Sequence, residues 1–248
     1  MIESTDKENQ VESGEYRMGT FARMLNVFFS PSRTFISVNQ RPNWVVPLLF
    51  VLAAVLVFQM LITPVKIKEA KENIRNNPDL TSEQIEMGLE RIEQFSEGPE
   101  FRTRMAMSLG VFAIAEVIKL FAVALVFLFA VKLAVSDSPF GKILGVASYV
   151  NLVSIVEMGV KLPLILAKGT MSIYTSLAVI LPNTYQNSIV HRLLNSLDVF
   201  SFWRIVLFSI GLAAVTQLSS KKSAFLVIYV WIGWIIIHAL FANLIQIQ

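Results

Sequence analysis

Polar and apolar residues segregate along the chain into long blocks, and five of these blocks are apolar. They run from Trp44 to Thr63, Ala106 to Ala134, Lys142 to Lys168, Phe200 to Leu218 and Ser223 to Gln246. The first and last contain no Asp, Glu, Lys or Arg, and each is long enough to cross roughly 30 Å of hydrocarbon as a helix. The other three carry charges: Glu116, Lys119 and Lys132 in the second, Glu157 and Lys161 in the third, Arg204 in the fourth. No period-2 alternation appears, and lipid offers no partner to unsatisfied backbone amides, so the spans must be helices. The pattern predicts an all-α, polytopic membrane protein with about five transmembrane helices and additional interfacial amphipathic helices.

The connecting segments have patterns of their own. Residues 1–19 form an acidic tail with little to bury, which predicts disorder. Five acids and one Lys precede Arg17, which is no signal-peptide pattern, so no cleavage is expected. Across 20–43, Phe21, Leu25, Phe28 and Phe29 repeat at helical spacing and predict a short interfacial helix. Ser30 as N-cap with Pro31 at the first helical position starts a second helix through Phe35 and Val38. Trp44 then stands where an interfacial anchor belongs.

Residues 64–105 hold nine acids and seven bases. With Asn76-Asn77-Pro78 as a breaker, Thr81 to Gln84 as a capping box and Gly98-Pro99 as a stop, they predict an extramembrane helical hairpin. Its second arm places Ile85, Leu89, Ile92 and Phe95 near one face, which would lie on the protein or the membrane surface. Residues 169–199 form an interfacial loop whose apolar stretch, Met171 to Leu181, is too short to cross and stops at Pro182-Asn183. Tyr174 and Tyr185 bracket it, which favours an in-plane over a re-entrant segment.

Composition narrows the class further. Of 248 residues 54% are apolar and 16% charged, with mean hydropathy +0.60, too little polar surface to coat a soluble globule. Without Cys there are no disulfides, thiolate sites or Cys nucleophiles, and two His do not make a metal centre; no cofactor is implied. A net charge of +3 gives nucleic acid no footprint. With the N-terminus inside, Lys and Arg number eight on that side and nine on the other, so charge bias leaves the topology open; the Lys221-Lys222 pair in the last short loop leans toward a cytoplasmic N-terminus.

Candidate chemistry lies in ions within the spans, because one charge near the bilayer centre costs about 2.5–3.5 kcal/mol and needs compensation. Glu116 and Lys119 are three residues apart, Glu157 and Lys161 four, so each pair shares a helix face with its Glu on the N-terminal side. Two readings stand: each Lys neutralises its Glu and fixes helix register, or the four form an intramembrane cluster serving a transport or ligand path. Gly141 and Gly145 form a small-xxx-small pair expected to pack within the chain, Gly159 with Pro163 predicts a bend, and His238 reads as a hydrogen-bonded interior residue. Walker-type loops, G-x-G-x-x-G, H-E-x-x-H and G-x-S-x-G are all missing, so no enzymatic activity is expected.

Three segments carry a family resemblance: Phe-Phe-Ser-Pro-Ser-Arg-Thr-Phe at 28–35, Arg41-Pro42-Asn43-Trp44, and Leu197-Asp198-Val199-Phe200-Ser201-Phe202-Trp203-Arg204 before an apolar span containing Gly211. Over roughly residues 20–245 the chain resembles the bacterial branch of the Yip family, integral membrane proteins akin to Ypt/Rab-interacting proteins. The resemblance implies five spans and a cytoplasmic N-terminus in a bacterial inner membrane. The expected role is that of a membrane-organising or adaptor protein engaging lipids, other membrane proteins or further copies of itself, with a small transporter or channel using Glu116, Lys119, Glu157 and Lys161 as the alternative. The Asp-Leu-Tyr-Gly-Pro signature of eukaryotic members is missing, so GTPase binding has no residues here to rest on. In the third segment Asp198 is placed to cap the fourth span, Phe200, Phe202 and Trp203 to anchor the interface, and Arg204 to reach lipid phosphates.

Overall fold

The computed structural model describes residues 18–134, 136–173, 176, 180, 194 and 196–245, with the backbone alone at 97 and 238–245. The acidic tail through residue 17, Tyr174, Tyr185, most of the 171–181 stretch and the His238 side chain lie outside the described residues. The helices are α1 Thr20–Phe29, α2 Pro31–Gln40, α3 Val45–Arg75, α4 Ser82–Glu97, α5 Phe101–Leu133, α6 Phe140–Asn151, α7 Val153–Lys168, α8 Val199–Val215 and α9 Ser220–Ile245. Among the described residues the one strand-like feature is an antiparallel bridge between Ser176 and Asp198. Helix α3, helix α5, the 140–168 run and the Ser220–Ile237 part of α9 are long and apolar enough to cross a membrane. Helix α8, with 17 residues, reaches about 25 Å and stands at the short limit for a span.

Two span boundaries differ from expectation. Helix α3 does not stop at Thr63; it continues through Pro64 to Arg75, so the first arm of the hairpin is the span itself carried onward. Pro64 lacks the N–H that would bond the Met60 carbonyl, and one residue earlier Thr63 Oγ1 donates to the Gln59 carbonyl at 2.7 Å. The 140–168 run is broken at Leu152, whose N–H turns back to the Tyr149 carbonyl, while α7 passes unbroken through Gly159 and Pro163. The break falls after Asn151, a residue type whose side chain competes with helical backbone bonds.

The chain divides into two compact units. The first comprises residues 1–49, 120–153 and 199–248. Within it α8 packs on α9, α2 and α6, and α1 packs on α2 and α6. Val27, Phe35, Val38, Ile143, Val146 and Leu212 are fully buried. Two glycines permit the close approach. A methyl at Gly211 would lie 2.5 Å from Val146 Cγ1, and one at Gly145 would lie 3.0 Å from Val38 Cγ1. Gly145 thus packs within the chain as expected, whereas Gly141 faces open space. Serine hydroxyls join segments distant in sequence: Ser148 Oγ donates to the Trp44 carbonyl at 2.7 Å and Ser138 Oγ to the Val215 carbonyl at 2.9 Å. Trp44 packs edge-on against Phe121, with centroids 5.5 Å apart.

The second unit comprises residues 50–119 and 154–198. Its core is Ile62, Val65 and Ile165, with Phe58, Leu162 and Met171 packed against them. The expected capping box is present: Gln84 N–H donates to Thr81 Oγ1 and Thr81 N–H to Gln84 Oε1. The hairpin closes through Lys71 and Glu93, 3.1 Å apart, and through Gly88, where an added methyl would meet Ile74 at 3.2 Å.

Candidate functional site

The four intraspan ions form two short pairs, each within one helix. In α5, Lys119 Nζ donates to Glu116 Oε2 at 2.6 Å, and in α7, Lys161 Nζ donates to Glu157 Oε1 at 2.5 Å. The pairs differ in exposure. The Glu116 and Lys119 side chains are 11% and 53% exposed, those of Glu157 and Lys161 17% and 27%. A long aliphatic stem lets Lys119 hold its head near the outside while neutralising an interior carboxylate. Such neutralisation offsets the cost of holding an ion in the hydrocarbon.

The second predicted set surrounds the start of α8. Asp198 directly precedes α8, and its backbone bridges to Ser176. Phe202 is exposed and Trp203 meets Phe28 of α1 edge-on, with ring centroids 5.4 Å apart. Phe200 corrects the expectation of an interfacial anchor, because it is buried. Its position two residues before Phe202 puts it on the opposite side of the helix, toward the unit's interior. Arg204 is half-buried.

Helix α1 brings in a residue that sequence reasoning counted only as a base. Arg23 is buried, its Nε donating to the Met18 carbonyl at 2.9 Å and its Nη1 to the Arg41 carbonyl at 2.8 Å. It thereby ties the start of α1 to the end of α2. Met24 and Val27 are buried on the same helix, while Phe21, Leu25 and Phe29 are 65%, 67% and 83% exposed. Phe28, expected among the outward aromatics, turns instead onto Trp203. The usable signal was the spacing: 23 and 27 lie four residues apart, off the 21, 25, 29 row.

Sequence reasoning also missed a groove in the second unit, lined by α3, α4 and α5, with a volume of about 480 Å³. That size is within the range of small-molecule sites. Its walls include Ile67, Ile92, Phe95, Leu109 and Phe112, and its charged lining residues are Lys66 and Arg91. Lys66 Nζ donates to Gln59 Oε1 at 2.7 Å and stands 5.2 Å from the Phe112 ring centroid. Three different helices supply these residues, so no local motif announces the groove. Among the described residues no three His, Asp or Glu side chains are placed to hold a metal.

The comparisons with known proteins agree with the helical architecture. The family model described as the Yip1 domain matches residues 25–242. The chain is 26% identical over 243 residues to membrane protein YknW of Bacillus subtilis (strain 168), covering 96% of this chain and 97% of that protein. No solved structure is matched. The long apolar helices, the match across most of the chain and the near full-length bacterial relative converge: this is a multi-pass integral membrane protein belonging to the Yip1 domain family.

Proposed function

We propose that this chain is a non-enzymatic membrane-organising or adaptor protein of the bacterial cytoplasmic membrane, with its N-terminus on the cytoplasmic side, engaging lipids or other membrane proteins. The observation that carries the reading is the two-sidedness of α1. One side is fixed to the protein through Arg23, Met24 and Val27, and the other presents Phe21, Leu25 and Phe29 outward as an apolar row. An amphipathic helix held in this way lays its outer row into the headgroup–acyl boundary, and rigid attachment passes that insertion to the rest of the unit. The basic Lys221-Lys222 pair at the start of α9 supports the orientation. The intrahelical partners of Glu116 and Glu157 support a structural over a conducting role for the charged spans.

The test uses the full chain captured in native membrane discs. Mass spectrometry is expected to find particular lipids or membrane proteins enriched over the surrounding membrane, and the F21S/L25S/F29S variant is expected to lose that enrichment while remaining folded. Wild-type discs holding only bulk lipid would overturn the reading. So would proteoliposomes that conduct ions or solutes and lose the flux in an E116Q/E157Q variant, which would put a transport protein in its place.

A further inference from the structure

The groove of the second unit has an electrostatic imbalance. Among the described residues its lining contains two cations, Lys66 and Arg91, and no carboxylate. Three acids nearby are engaged elsewhere. Glu69, three residues after Lys66, accepts from Thr170 Oγ1 at 2.8 Å and from the Met171 N–H at 3.2 Å. Glu93 pairs with Lys71, and Glu100 with Arg104 at 2.7 Å. Among the described residues Lys66 and Arg91 form no ion pair. The Lys66 ammonium is held at the edge of an apolar wall by Gln59 and the Phe112 ring, an arrangement that leaves donors for an anion.

The position along the chain is equally informative. Gln59, Thr63 and Lys66 lie where α3 changes from uncharged to charged sequence, and Met105, Ser108 and Phe112 lie where α5 makes the same change in reverse. A site with an apolar floor, two unneutralised cations and a location at such a boundary fits a molecule with an anionic head and a hydrocarbon tail. We infer that the groove between α3, α4 and α5 binds a single anionic phospholipid, its phosphate against Lys66 and Arg91 and part of an acyl chain along Ile67, Ile92, Leu109 and Phe112. The inference rests on the reading that the protein engages lipids, but on different residues: the α1 row acts at the headgroup–acyl boundary, whereas the groove selects by headgroup charge.

The experiment is native mass spectrometry of the full chain in detergent, offered equal amounts of phosphatidylglycerol and phosphatidylcholine with matched acyl chains. The wild type is expected to retain one phosphatidylglycerol in preference to phosphatidylcholine. Each neutralisation, K66Q or R91Q, is expected to weaken that preference about fivefold, and the double variant roughly thirtyfold. K66R is expected to keep it. I92W, which leaves both charges and fills the groove, is expected to reduce retention of both lipids. Hydrogen exchange on the wild type locates the site without any variant: phosphatidylglycerol should protect α4 near Arg91 and the first turns of α5. Equal retention of the two lipids by the wild type, undiminished preference in a folded K66Q/R91Q protein, or protection confined to other helices would each overturn the inference. The F21S/L25S/F29S variant separates the two readings, since it should lose the disc enrichment of partners other than phosphatidylglycerol and keep the phosphatidylglycerol preference.

Discussion

At the scale of single residues, the contacts that hold the protein together divide into those fixed by local spacing and those fixed by the fold. The Glu116–Lys119 and Glu157–Lys161 pairs are of the first kind, since residues three and four apart on a helix are neighbours whatever surrounds them. Both were therefore readable from the chain. Arg23 and Phe200 are of the second kind: one is a charge that proves buried and the other an aromatic expected at the interface that proves buried. One of the two acceptors of Arg23, the Arg41 carbonyl, lies beyond α2, and α8, which carries Phe200, packs on α2 and α6. Gly211 belongs with them. Replacing it with alanine forces a methyl against the β-branched, fully buried Val146, and overpacking of that kind costs about 1–3 kcal/mol. Thermal unfolding in detergent should register the loss in G211A. The same change at Gly159, where an added methyl meets nothing within 4 Å, should leave stability equal or higher. Matching transitions for G211A and the wild type would mean that α8 stands off from Val146.

At the scale of elements, periodicity revealed existence better than extent. The capping box at Thr81 was legible because it needs only residues three apart, and its two reciprocal bonds are formed. The end of α3 and the break at Leu152 were not, because helix continuation through a proline and interruption after an asparagine are decided by what neighbours supply. Thr81→Ala removes the acceptor for the Gln84 N–H, and loss of such a cap costs about 1 kcal/mol. The expected signature is local: hydrogen exchange accelerates in the first turn of α4 while α5 is unchanged. Exchange spreading evenly through the hairpin would show that the cap acts on more than its own helix.

For the whole molecule, the family membership and the multi-pass architecture were legible in the block pattern and three short motifs. The groove was not, because its lining is dispersed over more than fifty residues from Gln59 to Phe112. If α3 spans the bilayer, its two ends face opposite compartments. The cysteine-free chain allows a direct check with single-cysteine variants at the exposed positions Arg33 and Asp79. A membrane-impermeant maleimide is expected to label R33C from one side and D79C from the other, and labelling of both from one side would remove α3 from the count of spans. Proline at position 64 bears on how deep that rod sits. It denies the Met60 carbonyl its usual donor, and an oxygen so left is best served by water or a headgroup. Gln59, Thr63 and Lys66 flank it with polar groups. The stretch of α3 from Gln59 to Lys66 is accordingly where the helix is expected to meet the headgroups, the level that a phosphate held by Lys66 requires.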